Sequence, residues 1–195
     1  LVKGINDNIS DGSQAYSIRF ASSTPVGSNY YDRVPSDVAL SNSDDDSPGV
    51  SISSISGNTA ESGTVALFTV KLNSEPTSAV TLPVTSSDTT EGLISVDGTN
   101  YRSTDNLSFL ASNWYQDKTV QVQGQNDYTL DGDQSFTVQL GSMVSDDVNY
   151  SGIDPLDMPL TNIEDVFGGL VINTNSGETS EEGEKATFSV RLANE

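Results

Sequence analysis

Apolar residues alternate with polar ones through most of this chain, and no stretch carries the 3.6-residue period of an amphipathic helix. A period of two puts successive side chains on opposite faces of a strand, so each run reads as a strand with one buried face. Within residues 47–166 seven strands are expected. They lie near Val50-Ser51-Ile52, from Ala66 to Leu72, from Val80 to Thr85, near Leu107-Ser108-Phe109, from Thr119 to Gln123, from Ser135 to Leu140, and near Met158-Pro159-Leu160. Short strands separated by Gly, Asn, Asp and Ser predict an all-β fold, a seven-stranded antiparallel β-sandwich of immunoglobulin-like kind. Pro83 and Pro159 have no N–H to donate and are expected on edge strands or at outward-facing positions. Residues 86–106 exceed the usual connection, so they form a functional loop or hide a short strand.

The pattern itself recurs 120 residues along the chain without a gap. Gly124-Gln125-Asn126-Asp127 stands over Gly4-Ile5-Asn6-Asp7, and Asp131-Gly132-Asp133-Gln134 over Asp11-Gly12-Ser13-Gln14. Phe188, Val190 and Leu192 stand over Phe68, Val70 and Leu72. A repeat of this length decides the architecture before any single residue does. Residues 47–166 are expected to be one complete repeat. Residues 1–46 read as the C-terminal part of a preceding one and residues 167–195 as the N-terminal part of a following one, in a longer tandem array.

Charge narrows the function classes. The chain has 28 acidic residues against 8 basic ones, a formal charge of -20. Nucleic acid is not expected as a partner, because a polyanion is bound through a basic face. There is no Cys and no His, which removes thiol catalysis, zinc sites built on N and S ligands, and any Ser-His-acid arrangement. No apolar run approaches the roughly 20 residues of a membrane span, so direct membrane insertion is not expected. The acids are grouped in short runs rather than spread, and grouped oxygens suit a hard cation.

If the seven strands run alternately up and down, four acidic segments emerge at one pole. They are Glu61, then Asp88 and Glu91, then Asp127, Asp131 and Asp133 with Asn126 beside them, then Glu164 and Asp165. Crowded carboxylates raise one another's pKa unless a cation neutralises them. Two or more Ca²⁺ ions, each taking six to eight oxygens, would satisfy the cluster. Acidic loops are also ordinary turn formers. Recurrence weighs against that alone: Asp7, Asp11, Asp44, Asp45, Asp46 and Glu181 hold the matching places in the neighbouring copies, although Ser13 stands where Asp133 would match. Asp146, Asp147 and Asp154 fall at the opposite pole, which in a tandem array faces the preceding repeat's acidic end.

These residues resemble the Calx-beta repeat, a calcium-binding sandwich of sodium–calcium exchangers and of large bacterial surface proteins. The resemblance is carried by Thr59-Ala60-Glu61-Ser62-Gly63, by Phe68-Thr69-Val70-Lys71-Leu72, and by Asn126-Asp127 through Asp133 into Phe136-Thr137-Val138. The acidic exits Asp44-Asp45-Asp46 and Glu164-Asp165 complete it. It implies calcium held by Glu61, by an Asp after the third strand, by Asn126, Asp127, Asp131 and Asp133, and by Glu164 and Asp165. The Asp after the third strand falls on Asp88, with Asp97 left open by the longer stretch that follows.

The resulting expectation is a non-catalytic, calcium-stiffened module of a secreted or cell-surface adhesive protein. Its partners would be calcium ions and neighbouring repeats of the same chain, with a cell-surface protein or polysaccharide as the further partner open to it. A carbohydrate-binding module would instead stack sugars on Trp114, Tyr115, Tyr128 or Tyr150. Hydrolysis by paired carboxylates is disfavoured, because a site that recurs in each copy with more than two acids reads as metal ligation.

Overall fold

The computed structural model describes residues 1–22, 26–27, 29, 32–127, 129–165, 170–176 and 179–192. Among them every regular element is a strand: β1 (Gln14–Ile18), β2 (Val38–Asn42), β3 (Val50–Ile52), β4 (Thr59–Ala60), β5 (Val65–Leu72), β6 (Val80–Ser86), β7 (Gly92–Ser95), β8 (Thr104–Phe109), β9 (Lys118–Gly124), β10 (Gln134–Leu140), β11 (Val144–Ser145), β12 (Met158–Ile163), β13 (Leu170–Ser176) and β14 (Thr187–Leu192). No described helix is long and apolar enough to cross a membrane.

Residues 50–163 build two sheets. One has the order β3-β5-β9-β7. The other runs β11-β6-β10-β12-β4, with β8 on β6 as well. All pairings are antiparallel except the short β4–β12 pair. Alternation explains the burial: β5 turns Ala66, Phe68, Val70 and Leu72 inward, and β6 turns Val80, Leu82 and Val84 inward. With Val120 and Val122 of β9 and Phe136, Val138 and Leu140 of β10 they form one core cluster, to which both sheets contribute. Fully burying a side chain of this size contributes about 1.5–3 kcal/mol, so this shared core dominates the fold's stability.

All seven expected segments are strands, and three short strands accompany them. The count of seven therefore falls short. β7 lies in the long 86–106 stretch; its Gly92-Leu93-Ile94-Ser95 run is shielded on both faces and carries no alternation. β4 and β11 have two residues each, too few for a period. The edge-strand expectation also fails for Pro83, since β6 is paired on both sides. The Pro83 carbonyl accepts from the Gly141 N–H at 2.9 Å, between the stretches of β6 that pair with β10 and with β11. Its missing N–H thus falls where that ladder is interrupted.

The 120-residue recurrence extends to strand register. β1 and β2 pair Gln14 with Asn42, Tyr16 with Leu40 and Ile18 with Val38. β10 and β12 pair Gln134 with Asn162, Phe136 with Leu160 and Val138 with Met158, the same partners moved by 120. β13 and β14 likewise repeat β3 and β5: Leu170 with Leu192 stands for Val50 with Leu72, and Ile172 with Val190 for Ile52 with Val70. Each terminal ladder is a two-stranded sheet that leaves Tyr16, Val38, Phe188 and Val190 exposed.

Candidate metal centre

Four chain segments bring carboxylates together beside the end of β12. Glu61 follows β4, and its backbone N–H donates to the Ile163 carbonyl at 3.0 Å, tying that turn to the last residue of β12. Glu164 and Asp165 continue directly from β12. One carboxylate oxygen of each of these three acids lies within 4.8 Å of the others. A second group, Glu91, Asp127 and Asp131, meets the same limit. Among the described residues these are the only such groups of three.

Burial makes the first group costly. Glu61 is 5 % exposed, and its Oε2 has no hydrogen-bond partner. Burial, followed by the charges of Glu164 and Asp127, a side-chain hydrogen bond with Glu164 and the charge of Asp165, pushes its carboxyl up to about 7. Glu91 is also raised, by burial first and then by Asp127, Asp88 and Asp131, against the lowering effect of Asn162. Two unit charges at such spacing repel by about 3 kcal/mol at an effective dielectric near 20.

Asn162 holds Glu91, a member of the second group, to β12. It is 1 % exposed on β12 and donates its side-chain amide to Glu91 Oε2 at 3.2 Å and to the Gln125 carbonyl at 2.9 Å. Its Oδ1 is left without a partner. Gly124 permits this approach, since a side chain there would collide with the Ala60 carbonyl and the Asn162 amide. A buried acceptor left unpaired costs about 1–3 kcal/mol. Here there are two of them, Glu61 Oε2 and Asn162 Oδ1.

The Asp127–Asp133 loop is shaped from within. Asp127 Oδ1 accepts from the Thr129 N–H at 2.8 Å. Glu164 Oε2 accepts from the N–H groups of Asp131 and Gly132 at 3.1 and 3.2 Å, and Asp133 Oδ1 accepts from the Glu164 N–H at 3.1 Å. Asp133 therefore joins the loop to the β12 exit and belongs to neither group of three. Asn126 is exposed beside Asp127. Asp88 Oδ1 caps its own turn through the N–H and hydroxyl of Thr90, which hold its carboxyl low. Glu91, three residues on, takes its place in the cluster. Asp97 lies beyond the far end of β7, held low by Asn100 and Thr99.

In residues 1–46 the same loop recurs. The Gly12 N–H donates to Asp44 Oδ2 at 2.6 Å, as Gly132 does to Glu164, and the Asn42 amide donates to the Ile5 carbonyl at 2.8 Å, as Asn162 does to Gln125. Asp7, Asp11, Asp44, Asp45 and Asp46 line one depression, but no three of them approach as closely as the central groups. Glu181 sits in an exposed turn between β13 and β14.

Sequence reasoning missed Asn162, although the recurrence of Asn42-Ser43-Asp44 as Asn162-Ile163-Glu164 held the signal. Of the aromatic candidates for sugar stacking, Tyr150 is fully buried with its hydroxyl bonded to Ser74, and Trp114 packs against the core with its edge to the exposed Tyr115. Tyr128 lies outside the described residues. A scan against protein-family models finds no match for this chain, and a search of curated proteins finds none either.

Proposed function

We propose that this chain is a non-catalytic calcium-binding module: seven principal strands in an immunoglobulin-like sandwich of Calx-beta kind, repeated in tandem and stiffened by Ca²⁺ at one pole. The observation that carries this reading is the buried Glu61 carboxylate, with one oxygen unpartnered, facing Glu164 and Asp165 beside the second triad of Glu91, Asp127 and Asp131. The donor set is all oxygen, largely anionic, with a neutral amide oxygen at Asn162. Ca²⁺ takes six to eight such ligands in flexible geometry, whereas Mg²⁺ keeps most of its waters. Glu61, Glu164 and Asp165 would hold one ion, and Glu91, Asp127 and Asp131 a second, with Asn162 between them. Asp7, Asp11, Asp44, Asp45 and Asp46 would supply the corresponding pole of the preceding repeat, and Glu181 that of the following one.

Such a module suits a secreted or cell-surface adhesive protein, where the medium supplies calcium. The strand register that repeats after 120 residues supports the tandem arrangement. Calorimetric titration of the chelator-treated protein with CaCl₂ tests the reading. Saturable binding that Glu61→Gln weakens is expected, and no binding heat at millimolar calcium would refute it.

A further inference from the structure

Asn149 reaches back across most of the chain to hold the first acidic loop. Its side-chain amide donates to the Ser10 carbonyl at 2.8 Å, and the Glu75 N–H donates to the Asn8 carbonyl at 2.6 Å. Of residues 1–17 only Ile9 and Ser10 are shielded from solvent. The two donors come from separate connections, one after β5 and one after β11, so something must fix them relative to each other. That role falls to Asp147, 4 % exposed: its Oδ2 accepts from the Thr77 N–H at 2.7 Å and its Oδ1 from the Asn149 N–H at 2.9 Å. Tyr150 ties the same connections a second time, its hydroxyl donating to the Ser74 carbonyl at 2.7 Å and accepting from the Ser74 N–H at 3.0 Å.

We propose that residues 73–79 and 145–150 form a receiving surface for the acidic loop of a preceding unit, with Glu75 and Asn149 as its contacts and Asp147 as the residue that positions them. The recognised partner is a loop of Asn-Asp-x-x-x-Asp kind that presents backbone carbonyls, as Asn6 to Asp11 do. The residue types Asn149-Tyr150 and Glu75 recur 120 residues away as Asn29-Tyr30 and Glu195, although Gly27 stands where Asp147 would match. This surface stands apart from the cation reading, since a chain that bound no calcium would still form it.

Amide hydrogen exchange on the full chain, with chelator present, tests it. The Glu75 amide should be protected, and Asn149→Ala should speed its exchange about fivefold, the effect of losing one net hydrogen bond. The Ser74 amide, which donates to Tyr150, should be unchanged. Asn149→Asp, which keeps the side chain's shape but replaces the donor, carries the same test if the Ala variant fails to fold. An unprotected Glu75 amide in the wild-type chain, or equal exchange at Glu75 in a folded variant, would overturn the proposal.

Discussion

Asn162 donates its side-chain amide to the Glu91 carboxylate at 3.2 Å, linking a strand of the larger sheet to the turn that enters the smaller one. The bond ties Glu91 of one triad to the strand from which Glu164 and Asp165 of the other continue, through a buried residue whose own oxygen remains unpartnered. Asn162→Ala removes this donor and leaves Glu91 and the Gln125 carbonyl short of a partner. The expected loss is about 1–3 kcal/mol of metal-free stability, with weaker calcium binding, read by denaturant titration with and without calcium.

Gly124 leaves no room for a methyl group, because its Cβ would meet backbone at Ala60 as well as Asn162. Gly124→Ala should cost about 1–3 kcal/mol or more, while Gly141→Ala, whose added methyl would make only ordinary contact with Pro83, should cost little. Thermal melts of the two variants would show the difference.

The pH dependence follows from Glu61. Its carboxyl in the folded protein is raised to about 7 from an ordinary 4.5, by burial and then by Glu164 and Asp127. The folded state therefore holds a proton that the unfolded chain has already released between those values. The Glu61 contribution to metal-free stability should be fully present below about pH 4.5 and be lost as pH rises through 7, by a few kcal/mol at about 1.4 per unit. Calcium needs the ionised form, so it should flatten or reverse that slope. Glu61→Gln should reduce the decline in chelator, leaving the part due to Glu91, and weaken the calcium response. A metal-free protein equally stable at pH 5 and pH 8 would contradict this assignment.

The exposed apolar rows of β1–β2 and β13–β14 repeat ladders that line a shared core in residues 50–163. Unpaired strand edges with apolar faces recruit partners. Head-to-tail association is the expected outcome, seen as an apparent mass that grows with concentration in light scattering. Phe188→Ser with Val190→Ser should reduce it, and a monomer at every concentration would argue against it.

Much of the fold was legible because one face of each main strand is buried, which writes burial into the sequence as alternation. β7 was not, because a strand shielded on both sides shows no alternation. Convergence of the acids could be read from strand order alone, since Glu61, the Asp127–Asp133 loop and Glu164 leave strands at the same end. The identity of each participant could not. Asp88 and Glu91 are three residues apart in one loop, and only the turn geometry, in which Thr90 occupies Asp88, decides that Glu91 enters the cluster. Asn162 is an ordinary strand position in the sequence, and only the fold shows its buried amide bonded to Glu91 with its oxygen unpartnered.

The most direct test of the account is the melting temperature at pH 8 in millimolar calcium against excess chelator. A ligand bound only by the native state at a hundredfold over Kd adds about 2.7 kcal/mol. For a chain of this size that corresponds to a rise of roughly 5–10 °C. That rise is expected in the wild-type protein, and a smaller one in Glu61→Gln. Coincident melts of the wild-type chain in calcium and in chelator would contradict it.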